Sequence, residues 1–267
     1  MRILLTNDDG ITAPGISSLF SALSGIGQLV PVAPATVQSA TSHGVTYDAP
    51  LLTREITIND EMTGIAVEGR PADCVKVALQ ALWPGQFGKG TRPDLTISGM
   101  NAGANVGINI IYSGTVAAAV ESAFLGVPSI AVSLHIGDPS KTCYARAAFF
   151  ARAAIDEVLK HRIDPHSVIN INIPRTESED MPMPEIKVVA MNTAAGVDQY
   201  ERRQTPMGES YYWATGDGMQ FAHTSMGSDV EAIFDGLITV TPLTYSLTDH
   251  QRMDTWRERL EAKTAHH

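Results

Sequence analysis

"RILLTNDDGITAPGISSLFSALSGIGQLVPVAP", residues 2–34, decides the fold. "RILLTN" is a short apolar run rich in strand formers. Beyond it Ile16, Leu19, Phe20 and Leu23 fall at i, i+3, i+4 and i+7 and so share one helical face. Pro14 suits the first turn of that helix and Gly25 suits its end. "QLVPVAP" reads as a second strand. A strand, a helix and a strand in about thirty residues form a βαβ unit, which calls for a parallel sheet. The stretch also poses a chemical question. Asp8 and Asp9 stand side by side where the first strand ends, and like charges placed together need a positive partner.

The alternation continues outward. "TGIAVEG" is a strand, and "PADCVKVALQALW" is a helix opened by Pro71 with Val75, Ala78, Leu79 and Leu82 on one side. "PDLTIS" (93–98) is a strand. "GTVAAAVESAFLG" is a helix with Val116, Val120, Ala123 and Phe124 facing inward and Gly126 as its stop. "VPSIAVS" (127–133), the long helix "YARAAFFARAAIDEVLKH" and the strand "SVININIP" complete a doubly wound α/β sheet. After residue 175 the character changes. "PRTESEDMPMP" is a loop, and "EIKVVAMN", "ESYYWATGD" and "DGLITVTPL" read as strands with few helices between them. The division is a core over 1–185 and a β-rich extension with a charged tail helix over 186–267. Tyr211, Tyr212 and Trp213 cluster in the extension, where packing on a neighbouring subunit is the plain reading and base stacking the alternative.

Composition narrows the function. The 267 residues are 44% apolar, so the core can be sizeable, and the formal net charge of −10 argues against nucleic-acid polymers and anionic membranes as partners. A small anionic substrate stays possible where a bound cation reverses the field locally. Cys74 and Cys143 lack metal-type spacing and read as free buried thiols. With no secretory signal and no apolar window long enough to span a bilayer, the expected setting is the cytoplasm.

Ligands of open α/β sheets bind beyond the carboxyl ends of the strands. Four polar segments belong there: Asn7 to Gly10, then "ATVQSATSHG" with Ser39, Ser42 and His43, "GMNAGANVG" with Asn101 and Asn105, and "YSGT" (112–115) ahead of a helix. Paired carboxylates with hydroxyl and amide oxygens make a hard donor set suited to Mg²⁺ or Mn²⁺. The alternative for Asp8 and Asp9 is helix capping or a turn in "NDDG". Ser113, Gly114 and Thr115 can offer hydroxyls and amides to a phosphate, or Ser113 or Thr115 can merely cap the helix. His43 is a candidate proton donor or a structural histidine, whereas His266 and His267 carry no motif. Neither G-x-G-x-x-G nor the P-loop ending occurs, and Gly10 stands where an aspartate-nucleophile phosphatase needs a second acid. A dinucleotide-dependent oxidoreductase therefore lacks its fingerprint. A non-catalytic nucleotide or metal sensor is the other rival.

Taken in order, "ILLTNDDGITAPGI", "VAPATVQSATSHGVT", "GRPADCVKVAL", "DLTISGMNAGANVG", "YSGTVAAAVESAFLGVPSIAVS" and "ITVTPL" resemble the SurE family of metal-dependent nucleotidases, from residue 3 to about 245. The resemblance implies a Rossmann-like core with an oligomerising C-terminal extension. It implies phosphomonoesterase activity on nucleoside 5′- and 3′-monophosphates, with short polyphosphates as further substrates. It implies one divalent cation per subunit on Asp8, Asp9, Ser39 and Asn101, with Asn105, Ser113, Gly114 and Thr115 around the phosphate. Asp8 or Asp9 would orient or deprotonate water, and His43 would protonate the leaving oxygen. Homodimers or homotetramers through exchanged tail segments are expected. Arg70 before Pro71, and Ala117, Val120 and Ser122 in the cradle helix, depart from the family pattern and bear on substrate preference.

Overall fold

The computed structural model describes residues 1–197, 199–216 and 218–261. The end of the tail segment, including His266 and His267, lies outside the described residues.

The chain opens as its first residues dictate: β1 (Arg2–Thr6), α1 (Pro14–Ala22) and β2 (Gln28–Pro34). Next come β3 (Thr53–Thr57), β4 (Thr63–Val67), α2 (Pro71–Val77), α3 (Trp83–Phe87) and β5 (Leu95–Ala102). The second half holds α4 (Asn109–Tyr112), α5 (Gly114–Phe124), β6 (Ser129–Leu134), α6 (Tyr144–Leu159) and β7 (Val168–Ile173). The remainder is β8 (Ile186–Val188), β9 (Gln199–Gln204), β10 (Ser210–Thr215), α7 (Asp229–Phe234), β11 (Ile238–Leu243) and α8 (His250–Glu261). One π-helical turn, Ala78–Leu82, joins α2 to α3 inside what the sequence reads as one helix. No helix among the described residues is long and apolar enough to cross a membrane.

Nine strands form one sheet in the order β3-β4-β2-β1-β5-β6-β7-β11-β8. The run from β4 through β2, β1, β5 and β6 to β7 is parallel, with β3 and β11 antiparallel to their inner neighbours. β1 sits in the interior, and its side chains alternate between two cores. Ile3 and Leu5 join Ile16 and Leu19 of α1 and Phe150 and Ala151 of α6, whereas Leu4 joins Val75 of α2 and Ala118 of α5. A strand buried on both faces has no use for polar alternation, which is why "ILL" is continuous. Successive strands leave β1 on one side toward β2 and β4, then return on the other side as β5, β6 and β7. The switch point of the sheet is therefore the crevice between β1 and β5.

Several details differ from the sequence reading. β11 and β8 belong to the main sheet, so the expected boundary at 185/186 runs just ahead of strands that continue it. Only β9 and β10 stand apart, as a two-stranded antiparallel hairpin. Phe124 does not face inward: it is 47% exposed at the C-terminal end of α5 and packs edge-on against Tyr245. Cys74 is buried, but Cys143, at the mouth of α6, is only partly so, and both are free.

Candidate active site at the switch point

The twin acids emerge where β1 ends, and the chain spends its first polar contacts on holding them. Asp8 is 4% exposed. Its Oδ1 accepts from the Thr115 hydroxyl at 2.5 Å and its Oδ2 from the Thr115 amide at 3.1 Å. Asp8 thus caps a helix, but one 107 residues downstream rather than its own turn. Asp9 crosses the crevice, with Oδ2 accepting from the Ala102 amide at 2.8 Å, and its Oδ1 makes no hydrogen bond to the described residues. Burial pushes the Asp8 carboxyl up to about 6, against the pull of the Thr115 hydroxyl and helped by the Asp9 charge. Burial raises Asp9 too, only partly offset by the Ala102 amide. Both carboxyls sit above the ordinary carboxylate range because burial strips away the water that would solvate their charge.

The start of α5 shows why glycine stands at 114. A Cβ there would lie 2.9 Å from both the Cβ and Oδ2 of Asp8 and 3.0 Å from the Cγ of Pro71. Ser113 is the N-cap, its Oγ accepting from the Val116 amide at 3.1 Å. With the Thr115 amide on Asp8 and the Val116 amide on Ser113, the Gly114 amide is the first-turn donor with no partner among the described residues. The capping reading of Ser113 is therefore met, and the Gly114 amide beside it stays uncommitted.

Asn101 is not in a loop. β5 runs on to Ala102 through a register shift against β6 between Ser98 and Asn101. Gly99 makes the shift possible: it has φ +144, and a Cβ on it would lie 2.2 Å from the Val132 carbonyl oxygen. Such an irregularity bends a strand and re-aims the side chains beyond it. The Asn101 amide nitrogen donates to Gly103 O at 2.7 Å, leaving its oxygen as the uncommitted end. Ser39 is exposed and makes no hydrogen bond to the described residues; the Gln38 amide beside it donates to Asp8 O at 2.7 Å. Asn105 sits deeper. Its amide donates to Ser133 Oγ at 2.8 Å, and its carbonyl accepts from Asn170 and Asn172. The side-chain nitrogen is thus committed to β6, while the Asn105 backbone ties the glycine-rich loop to β7. His43 bonds through Nε2 to Glu121 Oε2 at 2.7 Å, seven residues past Gly114 and so about 10 Å along the helix.

Two contributors, Tyr144 and Glu121, escaped the sequence reading, and Asn7, named there only within a polar segment, has a specific place. The Tyr144 hydroxyl is raised first by burial and then by the Asp9 charge, so α6 also brings a polar group toward the acids. Asn7 Oδ1, next in sequence to Asp8, is buried with no hydrogen-bond partner among the described residues. Glu121 sits in an otherwise Ala- and Val-rich helix, and that contrast is the one sequence signal that marks it.

The fold and the site together define a doubly wound α/β protein whose switch point sets two carboxylates against a helix N-terminus. The family described as Survival protein SurE matches residues 3–200. A 5′-nucleotidase SurE of Rhodopirellula baltica is 43% identical over 248 residues, covering 93% of this chain and 94% of the relative. One from Carboxydothermus hydrogenoformans is 39% identical over 275 residues, 99% of each. The crystal structure of the SurE protein from Aquifex aeolicus superposes with a TM-score of 0.80 at 32% identity, over 97% of this chain and 99% of that one. The chain belongs to the SurE family.

Proposed function

We propose that the chain is a divalent-cation-dependent 5′-nucleotidase that hydrolyses nucleoside monophosphates to nucleoside and phosphate, with 3′-nucleotides and short polyphosphates as further substrates. The observation that carries this reading is the meeting, at the β1/β5 crevice, of Asp8 and Asp9 with the unpaired Gly114 amide of α5. The relatives' shared name, 5′-nucleotidase SurE, supports it.

The donors fit a hard cation. Two carboxylates raised by burial gain by exchanging protons for a dication, and the uncommitted acceptors named beside them, Asp9 Oδ1, Asn7 Oδ1 and Asn101 Oδ1, are hard oxygens. No group of three or more His, Cys, Asp or Glu side chains that could hold a metal occurs among the described residues, so the proposed donor set completes two carboxylates with hydroxyl and amide oxygens. Asp8, Asp9, Ser39 and Asn101 would hold Mg²⁺ or Mn²⁺. When bound, such an ion neutralises phosphate charge and acidifies water.

The chain's own residues do the rest. The Gly114 amide and the positive end of α5 take phosphoryl oxygens, meeting charge that grows at phosphorus with dipoles already in place. Asp8 is held rigid by Thr115 through both oxygens, whereas Asp9 has Oδ1 free. Asp9 is thus the better placed to orient a water and accept its proton. As the water oxygen bonds to phosphorus, the phosphorus–ribose oxygen bond breaks, and the ribose oxygen leaves with a proton from solvent or the site. The exposed aromatic hairpin supports association of copies, as dimer or tetramer, through the segment beyond residue 186.

Phosphate release from AMP with Mn²⁺, Mg²⁺, Co²⁺ or Ca²⁺ tests the reading. Turnover with at least one cation, abolished by EDTA and by Asp9→Asn with the fold intact, is expected. Undiminished turnover in excess EDTA would overturn it.

A further inference from the structure

Glu121 is placed at a physical disadvantage. It lies in α5, an otherwise Ala- and Val-rich helix, with its side chain 7% exposed. A carboxylate there is unfavourable unless it is paired, and an apolar residue of similar size would serve packing better. What it holds explains it. Oε2 takes His43 Nε2 at 2.7 Å and Oε1 takes Lys76 Nζ, from α2, at 3.2 Å. His43 is stacked on Phe124, ring centroids 5.5 Å apart, so the imidazole is fixed in plane and in depth.

His43 lies four residues beyond Ser39, and the backbone between them is strained. Ala40 and Ser42, neither a glycine, sit at φ +55 and +53. Non-glycine residues keep such conformations only where surrounding contacts impose them. The contacts lie on both sides of Ser39. Before it, the Gln38 amide is bound to Asp8 O. After it, Ser42 bonds to the carbonyls of Ile111 and Tyr112, His43 bonds to Glu121, and Thr46 bonds twice to Asp73. Ser39 makes no hydrogen bond of its own to the described residues, so its position, next to the Gln38 amide bound to Asp8 O, is set by these anchors.

We infer that Glu121 is a positioning residue: through His43 it clamps the strained 39–43 turn onto α5 and so sets the Ser39 hydroxyl over Asp8 and Asp9. The inference rests on the cation site proposed above. It assigns His43 an anchoring role, acting on the site through the loop.

Direct Mn²⁺ binding to the full-length protein, followed by electron paramagnetic resonance without substrate, tests it beside thermal unfolding. Glu121→Ala and His43→Ala should each weaken Mn²⁺ binding about 10-fold, the scale found for partners just outside a metal's ligands. The double variant should be little worse than either single one, because both break one clamp. Glu121→Gln, which keeps an oxygen for the imidazole N–H, should recover most of the affinity. A merely structural Glu121 would lower the melting temperature and leave Mn²⁺ affinity at the wild-type value, and that result would overturn the inference. Should Glu121→Ala not fold, His43→Ala, altered at a partly exposed side chain, decides between the same two outcomes. Wild-type protein that binds Mn²⁺ no more tightly than Asp8→Asn would instead overturn the cation site itself, and this clamp with it.

Discussion

Four of the five residues of β1 are buried and the strand ends in two acids, whereas all six residues of β10 are exposed although three are large aromatics, Tyr211, Tyr212 and Trp213. Neighbours make the difference. β1 has β2 on one edge, β5 on the other and helices over both faces. β10 pairs only with β9, whose six residues are exposed as well. An interior strand of a parallel sheet cannot slide or turn, since slipping one residue exchanges its two cores. Its end is therefore where costly groups can be held to a fraction of an ångström. The hairpin lacks that enclosure, so its apolar area is available to something outside the subunit.

The contrast breaks most sharply at Asp8. Asp8→Asn keeps an oxygen for Thr115 but gives up a charge, so catalysis should fall on the order of 10³-fold while the melting temperature stays near wild type. Asp8→Ala should lose the activity equally and also uncap α5, at about 1 kcal/mol. Steady-state phosphate release and urea unfolding of both variants separate the chemical role from the capping role. Equal stability of the two would show that Thr115 does not depend on Asp8.

Gly114→Ala probes the same contact from the helix side. Alanine gains about 1 kcal/mol of helix propensity over glycine. The added methyl meets the Asp8 carboxylate and Pro71 at 2.9–3.0 Å, an overpacking of about 1–3 kcal/mol. Net stability should fall by roughly 1 kcal/mol. Activity should fall further, by about 10²-fold, because Asp8 is the group that must move. A variant as active as wild type would mean that Asp8 has slack the structure does not show.

Acidification sharpens the comparison at Glu121. Burial pushes its carboxyl up, but hydrogen bonds and charge from His43 and Lys76 outweigh this and leave it below the ordinary glutamate range. A carboxylate lowered by folding adds stability above its unfolded pKa and loses it as pH falls through the folded one. The stability advantage of wild type over Glu121→Gln should therefore be full near neutrality and shrink on acidification below about pH 4. Urea midpoints of the two proteins across pH 3–7 measure this. A gap that widens in acid would reverse the assigned sign.

What was legible in the sequence follows the same division. The parallel core was readable because Ile16, Leu19 and Leu23 keep helical spacing and β1 and β6 are continuous apolar runs, so local pattern and tertiary burial agree. Asp8, Asp9 and Gly114 could be assigned to one edge from the sequence because a parallel sheet sends the ends of its parallel strands to the same side. The hidden features depend on contacts between distant residues. The Asp8–Thr115 cap spans 107 positions, and the Glu121–His43 pair spans 78. The register shift that takes Asn101 into β5 rests on Gly99 against Val132, which no periodicity announces. β9, "QYERRQ", offers no apolar face to its own subunit and so has no pattern for burial to reveal. Phe124 kept the helical spacing yet emerges at the end of α5, where the core no longer covers it.

The smallest effect belongs to Trp213, and it tests the other side of the contrast. Trp213 is 56% exposed and opposes Glu201 across the hairpin. Removing it leaves no cavity, so Trp213→Ala should change the unfolding free energy of a dilute, dissociated sample by no more than about 0.5 kcal/mol. If copies associate through this hairpin, the same variant should lower the mass seen by light scattering at higher concentration, because a buried aromatic anchor accounts for much of an interface's stability. Activity per dissociated subunit should then match wild type, since the groups named at the β1/β5 crevice come from β1, β5, α5 and the loops after them, and β10 pairs in the sheet only with β9 among the described residues. A large stability loss in the dilute sample would mean that β10 packs on its own subunit after all.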